Sequence, residues 1–323
     1  MHLGLDVSKN TLDAALLDPD KTKPAHKVFA NTAEGHEQLL AWLQSKSAEP
    51  VHAALEATGT WAEEVALALH EAGHRVSLLN PARIHAFART QMARTKTDKA
   101  DALLIARFAR MHQPELWVPP APQVRELQAL VRRLESLDEM RLMEENRLGA
   151  GGLTASVQQS LREHIAYLQE QLDKVKRQIK EHIDSNPGLK QQRDLLLSIP
   201  GVGEATAALL LAELGEVERF QDARAVAAFA GLVPRIRQSG TSVRSRPRLS
   251  KVGSPRLRKA LYFPAITALR FNPLVRALGL RLQEKGKPKM LIIGAAMRKM
   301  IHLAYGVLKS NRPFDPNFCP ATP

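Results

Sequence analysis

Three strand-length segments precede the first helical one, and this order restricts the front of the chain to very few folds. Residues 2–8, 11–17 and 26–31 carry the apolar, period-two pattern of strands, after which residues 33–44 bring apolar side chains to one face at three-to-four spacing. A strand at 51–57, a helix at 61–72 and a strand at 75–80 complete the series. Strand-strand-strand-helix-strand-helix-strand implies a hairpin meander followed by parallel crossovers.

That is the order of the ribonuclease H-like α/β fold, and it sets the ends of the first and fourth strands side by side. Both end in acid: Asp6 closes His2-Leu3-Gly4-Leu5, and Glu56 closes Val51-His52-Ala53-Ala54-Leu55. Two further acids, Asp98 and Asp101, open a helix predicted over 99–111, three residues apart and so on one face. Four clustered carboxylates repel unless a hard cation sits among them, and an all-oxygen donor set suits Mg²⁺ or Mn²⁺. Such ions position and polarise phosphodiesters, so the implied chemistry is phosphoryl transfer on nucleic acid. Lys96 and Lys99 flank the acidic pair, and the helix N-terminus favours a nearby phosphate. Singly, each acid reads more readily as a turn, surface or cap residue; the set and its placement favour the metal site.

The formal net charge of +13 is concentrated at one end. Residues 235–323 hold 19 Lys and Arg against Glu284 and Asp315, a balance of +17, whereas residues 1–234 carry −4. A near-neutral front and a strongly basic rear fit a catalytic platform joined to a polyanion-binding region. One cysteine, Cys319, excludes an internal disulfide framework and fits a reducing cytoplasm. The sequence shows no signal peptide, lipidation signal or membrane span, which argues against a membrane partner.

A helical tract follows the Pro-rich break Val118-Pro119-Pro120-Ala121-Pro122 and is interrupted at Gly149 to Gly152. Beyond it, Val157, Leu161, Ile165, Leu168, Leu172, Val175 and Ile179 alternate steps of four and three with charged flanks, the seam of a coiled coil or an antiparallel helical hairpin. Self-association is the expected use of so long a seam. Next come an apolar helix, the turn Pro200-Gly201-Val202-Gly203 and a second helix, a helix-hairpin-helix pattern in which Gly201 and Gly203 let main-chain amides approach a phosphate. A dinucleotide fingerprint is the weaker reading, because a helix precedes the turn and Thr206 replaces the third glycine. The segment 235–254 is rich in Arg and Ser, with Arg235, Arg237, Arg244, Arg246, Arg248 and Lys251 as phosphate-gripping candidates. A serine among these cations is either an activated nucleophile or a hydrogen-bond donor, and spacing leaves both open. Two amphipathic helices at 257–269 and 291–308, with Arg256, Arg258 and Lys259 at the start of the first, frame that loop.

Taken together, Gly4-Leu5-Asp6-Val7-Ser8-Lys9, Leu55-Glu56-Ala57-Thr58-Gly59, Lys96-Thr97-Asp98-Lys99-Ala100-Asp101-Ala102, Pro200-Gly201-Val202-Gly203 and Gln238-Ser239-Gly240 with Leu249-Ser250-Lys251-Val252-Gly253 resemble the DEDD transposases of the insertion-sequence 110 group, relatives of the Piv-type DNA invertases. The resemblance covers essentially the whole chain. It implies a RuvC-like N-terminal domain at 1–122 whose Asp6, Glu56, Asp98 and Asp101 bind Mg²⁺ or Mn²⁺, an α-helical coiled-coil region at 123–186, and a mainly α transposase domain at 187–323. It further implies Ser239 as nucleophile, a homodimer or homotetramer with shared active sites, and a structured guide RNA from the element that selects donor and target DNA. Where the group shows Ser-Lys-Arg-Gly-Asn this chain reads Ser250-Lys251-Val252-Gly253-Ser254, which alters any contact made by the Arg or Asn. Ser242, Ser245 and Ser250 are alternative nucleophiles.

Three rivals define what the structure must separate. A RuvC-type junction-resolving nuclease would use the same acids with metal-activated water. A zinc protease is suggested by His70-Glu71-Ala72-Gly73-His74, though Gly73 disfavours one helix carrying both histidines. For a DNA-architectural protein, four converging acids would be purely destabilising.

Overall fold

The computed structural model describes residues 1–57, 59–91, 97–235, 238–239, 243–244 and 248–317. The chain divides into two compact units, Met1–Pro119 and Pro120–Pro323. Lys96, Arg237, Arg246, Ser242, Ser245 and Cys319, all singled out above, lie outside the described residues.

The first unit is built on a mixed sheet of β1 (His2–Val7), β2 (Thr11–Leu17), β3 (Ala25–Ala30), β4 (His52–Glu56) and β5 (Arg75–Leu79) in the order β3-β2-β1-β4-β5. β1 and β3 flank β2 antiparallel, while β4 runs parallel to β1 and β5 parallel to β4. Alternation along each strand decides its faces. Leu3, Leu5 and Val7 of β1, Leu12, Ala14 and Leu16 of β2, and Ala53 and Leu55 of β4 enter one core with Leu39 and Leu43 of α1 (Ala33–Gln44) and Val65 and Leu69 of α2 (Glu63–Glu71). On the opposite face, Ala54 and Leu79 pack with Ile84 and Phe87 of α3 (Pro81–Thr90) and Leu104, Ile105 and Phe108 of α4 (Asp98–His112). The predicted helix at 61–72 is resolved into a 3₁₀ turn, Gly59–Ala62, followed by α2. Gly73 then takes a left-handed φ of 83° and His74 Nδ1 accepts from the Val51 amide, so His70 and His74 do not share a helix and the zinc-protease reading fails. α3 was not expected from the sequence.

Gly4 decides how closely α4 can approach the sheet. A Cβ there would fall on the Ala102 carbonyl oxygen and the Ala106 amide nitrogen, and within 2.9 Å of the Ala106 Cβ. Helix backbone therefore rests directly on strand backbone, with alanines on the helix and no side chain on the strand. Since Asp98, Ala102 and Ala106 are spaced four apart, the stripe that seats α4 on β1 also carries Asp98.

The second unit is helical: α5 (Pro122–Gly149), α6 (Ala155–Ser185), α7 (Pro187–Leu197), α8 (Glu204–Leu214), α9 (Ala223–Phe229), α10 (Pro255–Phe271), α11 (Pro273–Glu284) and α12 (Lys289–Ser310). Between α9 and α10 lie two-residue strands, with β6 (Pro234–Arg235) paired to β9 (Arg248–Leu249) and β7 (Gln238–Ser239) to β8 (Val243–Arg244). α5 and α6 form a long hairpin in which Leu168, Leu172, Val175 and Ile179 of the heptad seam are buried in the unit's own core with Leu127, Val131 and Leu137. Towards the hairpin tip burial falls away, leaving Val157, Leu142 and Met143 exposed. α12 is long and apolar enough to span a membrane by length and composition, against the expectation of no such segment. It is a core helix of this unit: Ala296, Met300, Ile301 and Ala304 are buried, and its middle carries Arg298 and Lys299.

Gly4→Ala is expected to destabilise the first unit by about 3 kcal/mol, the upper range for overpacking, because the clash is with backbone that has no alternative rotamer. All three tryptophans, Trp42, Trp61 and Trp117, belong to this unit. Urea unfolding followed by their fluorescence measures the loss, and a value below about 1 kcal/mol would show that α4 has room to retreat.

Candidate active site

The β1–β4 register brings the first two acids together. Gly4 pairs with Ala54 and Leu5 with Leu55, so Asp6 and Glu56 continue the ladder as neighbours at the strand ends, on the face covered by α4. The Thr97 side chain accepts from the Ala100 amide at 3.2 Å, starting α4 so that Asp98 and Asp101 both stand in its first turn. Asp6, Glu56, Asp98 and Asp101 line one cavity of about 680 Å³. Its remaining wall comes from α3 and α4, including Ile84, His85, Gln91, Leu104 and Arg107.

The acids act on one another at Asp6. Burial, followed by repulsion from Asp101, Asp98, Glu56 and Asp13, raises the Asp6 carboxyl from its usual 3.8 to about 6. Asp13 sits directly across from Asp6 on β2 and is itself buried, bonded at 2.9 Å to His26 Nε2. Among the described residues, no three His, Cys, Asp or Glu side chains are gathered tightly enough to enclose an ion. The donor set nonetheless fits a hard divalent cation: every group is a carboxylate, and ionising Asp6 beside its neighbours is unfavourable until positive charge enters.

Asn31 is a positioning residue that the sequence did not reveal. Its Nδ2 donates to the carbonyl of Ser8 at 2.9 Å and of Trp61 at 3.1 Å, while its Oδ1 is 2.9 Å from His36 Nε2. One side chain thus ties the turn after Asp6 to the turn after Glu56. An asparagine at the end of a strand carries no such signal, because its partners are 23 and 30 residues away.

In the second unit, Ser239 lies in β7, where its backbone pairs with Val243 of β8. Arg244 lies in β8, and Arg235 and Arg248 are paired exposed residues of β6 and β9. Lys99, Lys251 and Lys259 are exposed, and Lys251 adopts a left-handed φ of 56°. Other predicted phosphate contacts meet protein. Arg258 donates to the carbonyls of Ala230 and Gly253 at 3.1 and 3.0 Å, Arg256 pairs with Glu135 and Glu213 at 3.2 and 3.5 Å, and Lys259 reaches Glu139 at 3.5 Å. A Cβ at Gly253 would strike the Phe229 carbonyl oxygen, so the loop closes against α9 only with glycine there. Ser254, where the related motif has Asn, accepts from the Leu257 amide and donates to Glu213, preserving a cap on α10. Gly201 is held at a φ of 105° against Pro264 and Ala268 of α10, whereas Gly203 precedes α8 with open space beside it.

Comparison with known proteins agrees with both units. A DEDD transposase model of the IS110 group, described as a transposase, matches residues 3–151, and one described as transposase IS116/IS110/IS902 family matches residues 193–279. The chain is 35% identical over 317 residues to the pilin gene-inverting protein of Moraxella bovis, covering 97% of each. It is 34% identical to that of Moraxella lacunata over the same length, again with 97% of each covered. The transposase for insertion sequence element IS1328 of Yersinia enterocolitica is 25% identical over 288 residues, 80% of this chain and 81% of that protein.

The raised Asp6 value gives a pH signature. Without divalent cations the folded protein retains a proton at Asp6 that the unfolded chain has lost, so the first unit should lose stability as pH rises from about 4 to about 6. Mg²⁺ should reverse the loss and Asp6→Asn should remove the slope, both read by tryptophan-monitored urea unfolding. An unchanged slope in Asp6→Asn would assign the effect to another group.

Proposed function

The chain belongs to the IS110 family of transposases, and we propose that it cuts and rejoins DNA through its four carboxylates and a serine nucleophile. As a member of this family it is an enzyme of DNA recombination. The observation that carries the finer reading is the meeting of Asp6, Glu56, Asp98 and Asp101 in one cavity, with the Asp6 carboxyl lifted by its neighbours.

A Mg²⁺ or Mn²⁺ ion held by these acids would supply charge to polarise the scissile phosphate. The Ser239 Oγ gives up its proton and attacks phosphorus, an Oγ–P bond forms as the P–O bond to one deoxyribose breaks, and the sugar oxygen takes up a proton and leaves as a hydroxyl. In the return step a hydroxyl of the partner strand attacks the same phosphorus and restores the serine. The number of phosphodiesters is unchanged, so rejoining requires no ATP. Arg235, Arg244, Arg248 and Lys251 lie close in sequence to Ser239 and are suited to hold phosphate oxygens.

The helix-hairpin-helix reading of α7, the Gly201-Val202-Gly203 turn and α8 supplies a sequence-blind backbone contact through Gly201 and Gly203, and Lys96 and Lys99 are proposed as DNA contacts of the first unit. The exposed tip of the α5–α6 hairpin supports a homodimer or homotetramer, since the lower seam is already filled within the chain. A guide RNA of the element and action in the bacterial cytoplasm follow from the family resemblance and the bacterial relatives. The domains so used are 1–122, 123–186 and 187–323.

A nuclease using activated water would leave free cut ends. Ser239→Ala is expected to abolish covalent protein–DNA adducts, detected as denaturant-stable radiolabelled complexes, while leaving DNA binding within about twofold. Adducts persisting in that variant would move the nucleophile to another serine, and cut but never rejoined products from the unaltered protein would establish the hydrolase instead.

A further inference from the structure

The second unit holds a groove outside the Ser239 segment that no function yet uses. It lies among α10, α11 and α12, has a volume of about 390 Å³, and is floored by aliphatic side chains such as Leu269, Leu280 and Ile292. Gly279 lets α11 close on α10, because a Cβ there would meet the Leu269 Cδ2 at 2.6 Å. Among the described residues, the charged ones lining it are all cations: Arg270, Arg276 and Lys289. Phe271 follows the lining Arg270 in the chain and is 66% exposed, with the Arg270 guanidinium 5.6 Å from its ring centroid. Phe263 is 73% exposed on the same helix, and positions 263, 266 and 270 share one face. A phenylalanine that solvated is costly to leave in water without a ligand to cover it.

We infer that this groove and the exposed face of α10 bind an unpaired strand of DNA, one base seated on the apolar floor or against Phe271 and its flanking phosphates on Arg270 and Arg276. Three features select this occupant. Cations with no lining acid call for a polyanion, and from Pro255 onward the chain has only Glu284 and Asp315 as acids. Exposed aromatics offer stacking surfaces that duplex DNA, with its bases already stacked, cannot use. The floor offers Gln283 as its one uncharged polar side chain, so a ribose 2′-hydroxyl would be desolvated there with little compensation, which favours DNA over RNA. The stripe at 263, 266 and 270 continues towards the N-terminus of α10, where the Ser239-bearing segment ends, so a strand opened at the cut site has a path to follow.

This inference rests on the reading that the chain exchanges DNA strands, yet its test needs no chemistry. Binding of the full chain in EDTA to a fluorescein-labelled oligodeoxythymidine, to the same sequence in ribose form and to a short duplex is measured by anisotropy across a salt series. Phe271→Ala should weaken deoxy-strand binding roughly tenfold with an unchanged salt slope, and Phe271→Trp should retain it. Arg270→Gln with Arg276→Gln should lower the slope of log K against log salt by about 1.4. Duplex binding should change less than twofold in each. Unchanged single-strand binding in Phe271→Ala, or tighter binding of the ribose strand, overturns the inference. A shift of Phe271→Ala to a smaller oligomer in sedimentation also overturns it, because the face would then be covered by a second copy. If strand exchange itself proved absent while these binding differences held, the function proposed above would fall and the groove would stand.

Discussion

The contact of α4 with β1 at Gly4 is the constraint on which the first unit's chemistry depends. Asp6 and Glu56 are brought together by hydrogen bonds between parallel strands, a geometry that any pair of strand ends would share. Asp98 and Asp101 arrive by a different route, on a helix whose distance from the sheet is fixed by Ala102 and Ala106 lying over a residue with no side chain. A larger residue at position 4 would leave the strand ladder intact and lift the helix. Two carboxylates would then be separated from two, which is why a glycine with no chemistry of its own controls the spacing of four residues that have it.

Close approach has an electrostatic consequence. Packing α4 against the sheet buries Asp6 and sets Asp98 and Asp101 beside it, and both effects disfavour its ionised form. A site assembled in this way resists its own negative charge, and the same resistance becomes affinity once a divalent cation enters. Asn31 opposes the repulsion mechanically by joining the turns that follow Asp6 and Glu56. Rigid hydrogen bonds outside the cluster thus hold in place charges that would otherwise move apart.

Much of the fold was legible because the front strands obey simple periodicity. β1, β2, β4 and β5 fall within a residue or two of their predicted bounds, as does α4, since alternation in strands and three-to-four spacing in helices are local signals. Asp6 and Glu56 stand at strand ends that the alternation marks, and Asp98 and Asp101 in the first turn of α4, so their gathering follows from local pattern and strand order. α3 was missed because its apolar positions, Ile84 and Phe87, are too few to stand out between the strand and the residues that follow. α9 has only seven residues and packs on α12, distant in sequence, while α11 buries few positions of its own, Val275 and Gly279, between α10 and α12. The heptad pattern marks an apolar seam, but periodicity cannot say whether α5 or a second copy fills it; in the structure its lower half packs on α5.

The basic rear shows where counting charge stops being informative. Arg256, Arg258 and Lys259 contribute to the +17 as fully as any other residue, yet they pair with Glu135, Glu213 and Glu139 or with backbone carbonyls. Arg256 and Arg258 fasten the start of α10 to α5, α8 and the turn after α9, and so fix where the Ser239-bearing segment ends. Cations that can meet phosphate are those with exposed heads and no acid beside them, and around the groove these are joined by aromatic and aliphatic surface that water does not favour. Charge of one sign next to exposed rings is a combination that duplex DNA does not require and an opened strand does. Holding an unpaired strand away from its complement would slow re-annealing for as long as the proposed covalent serine link waits for its new partner, so the stacking face and the proposed nucleophile would act on the same strand in sequence.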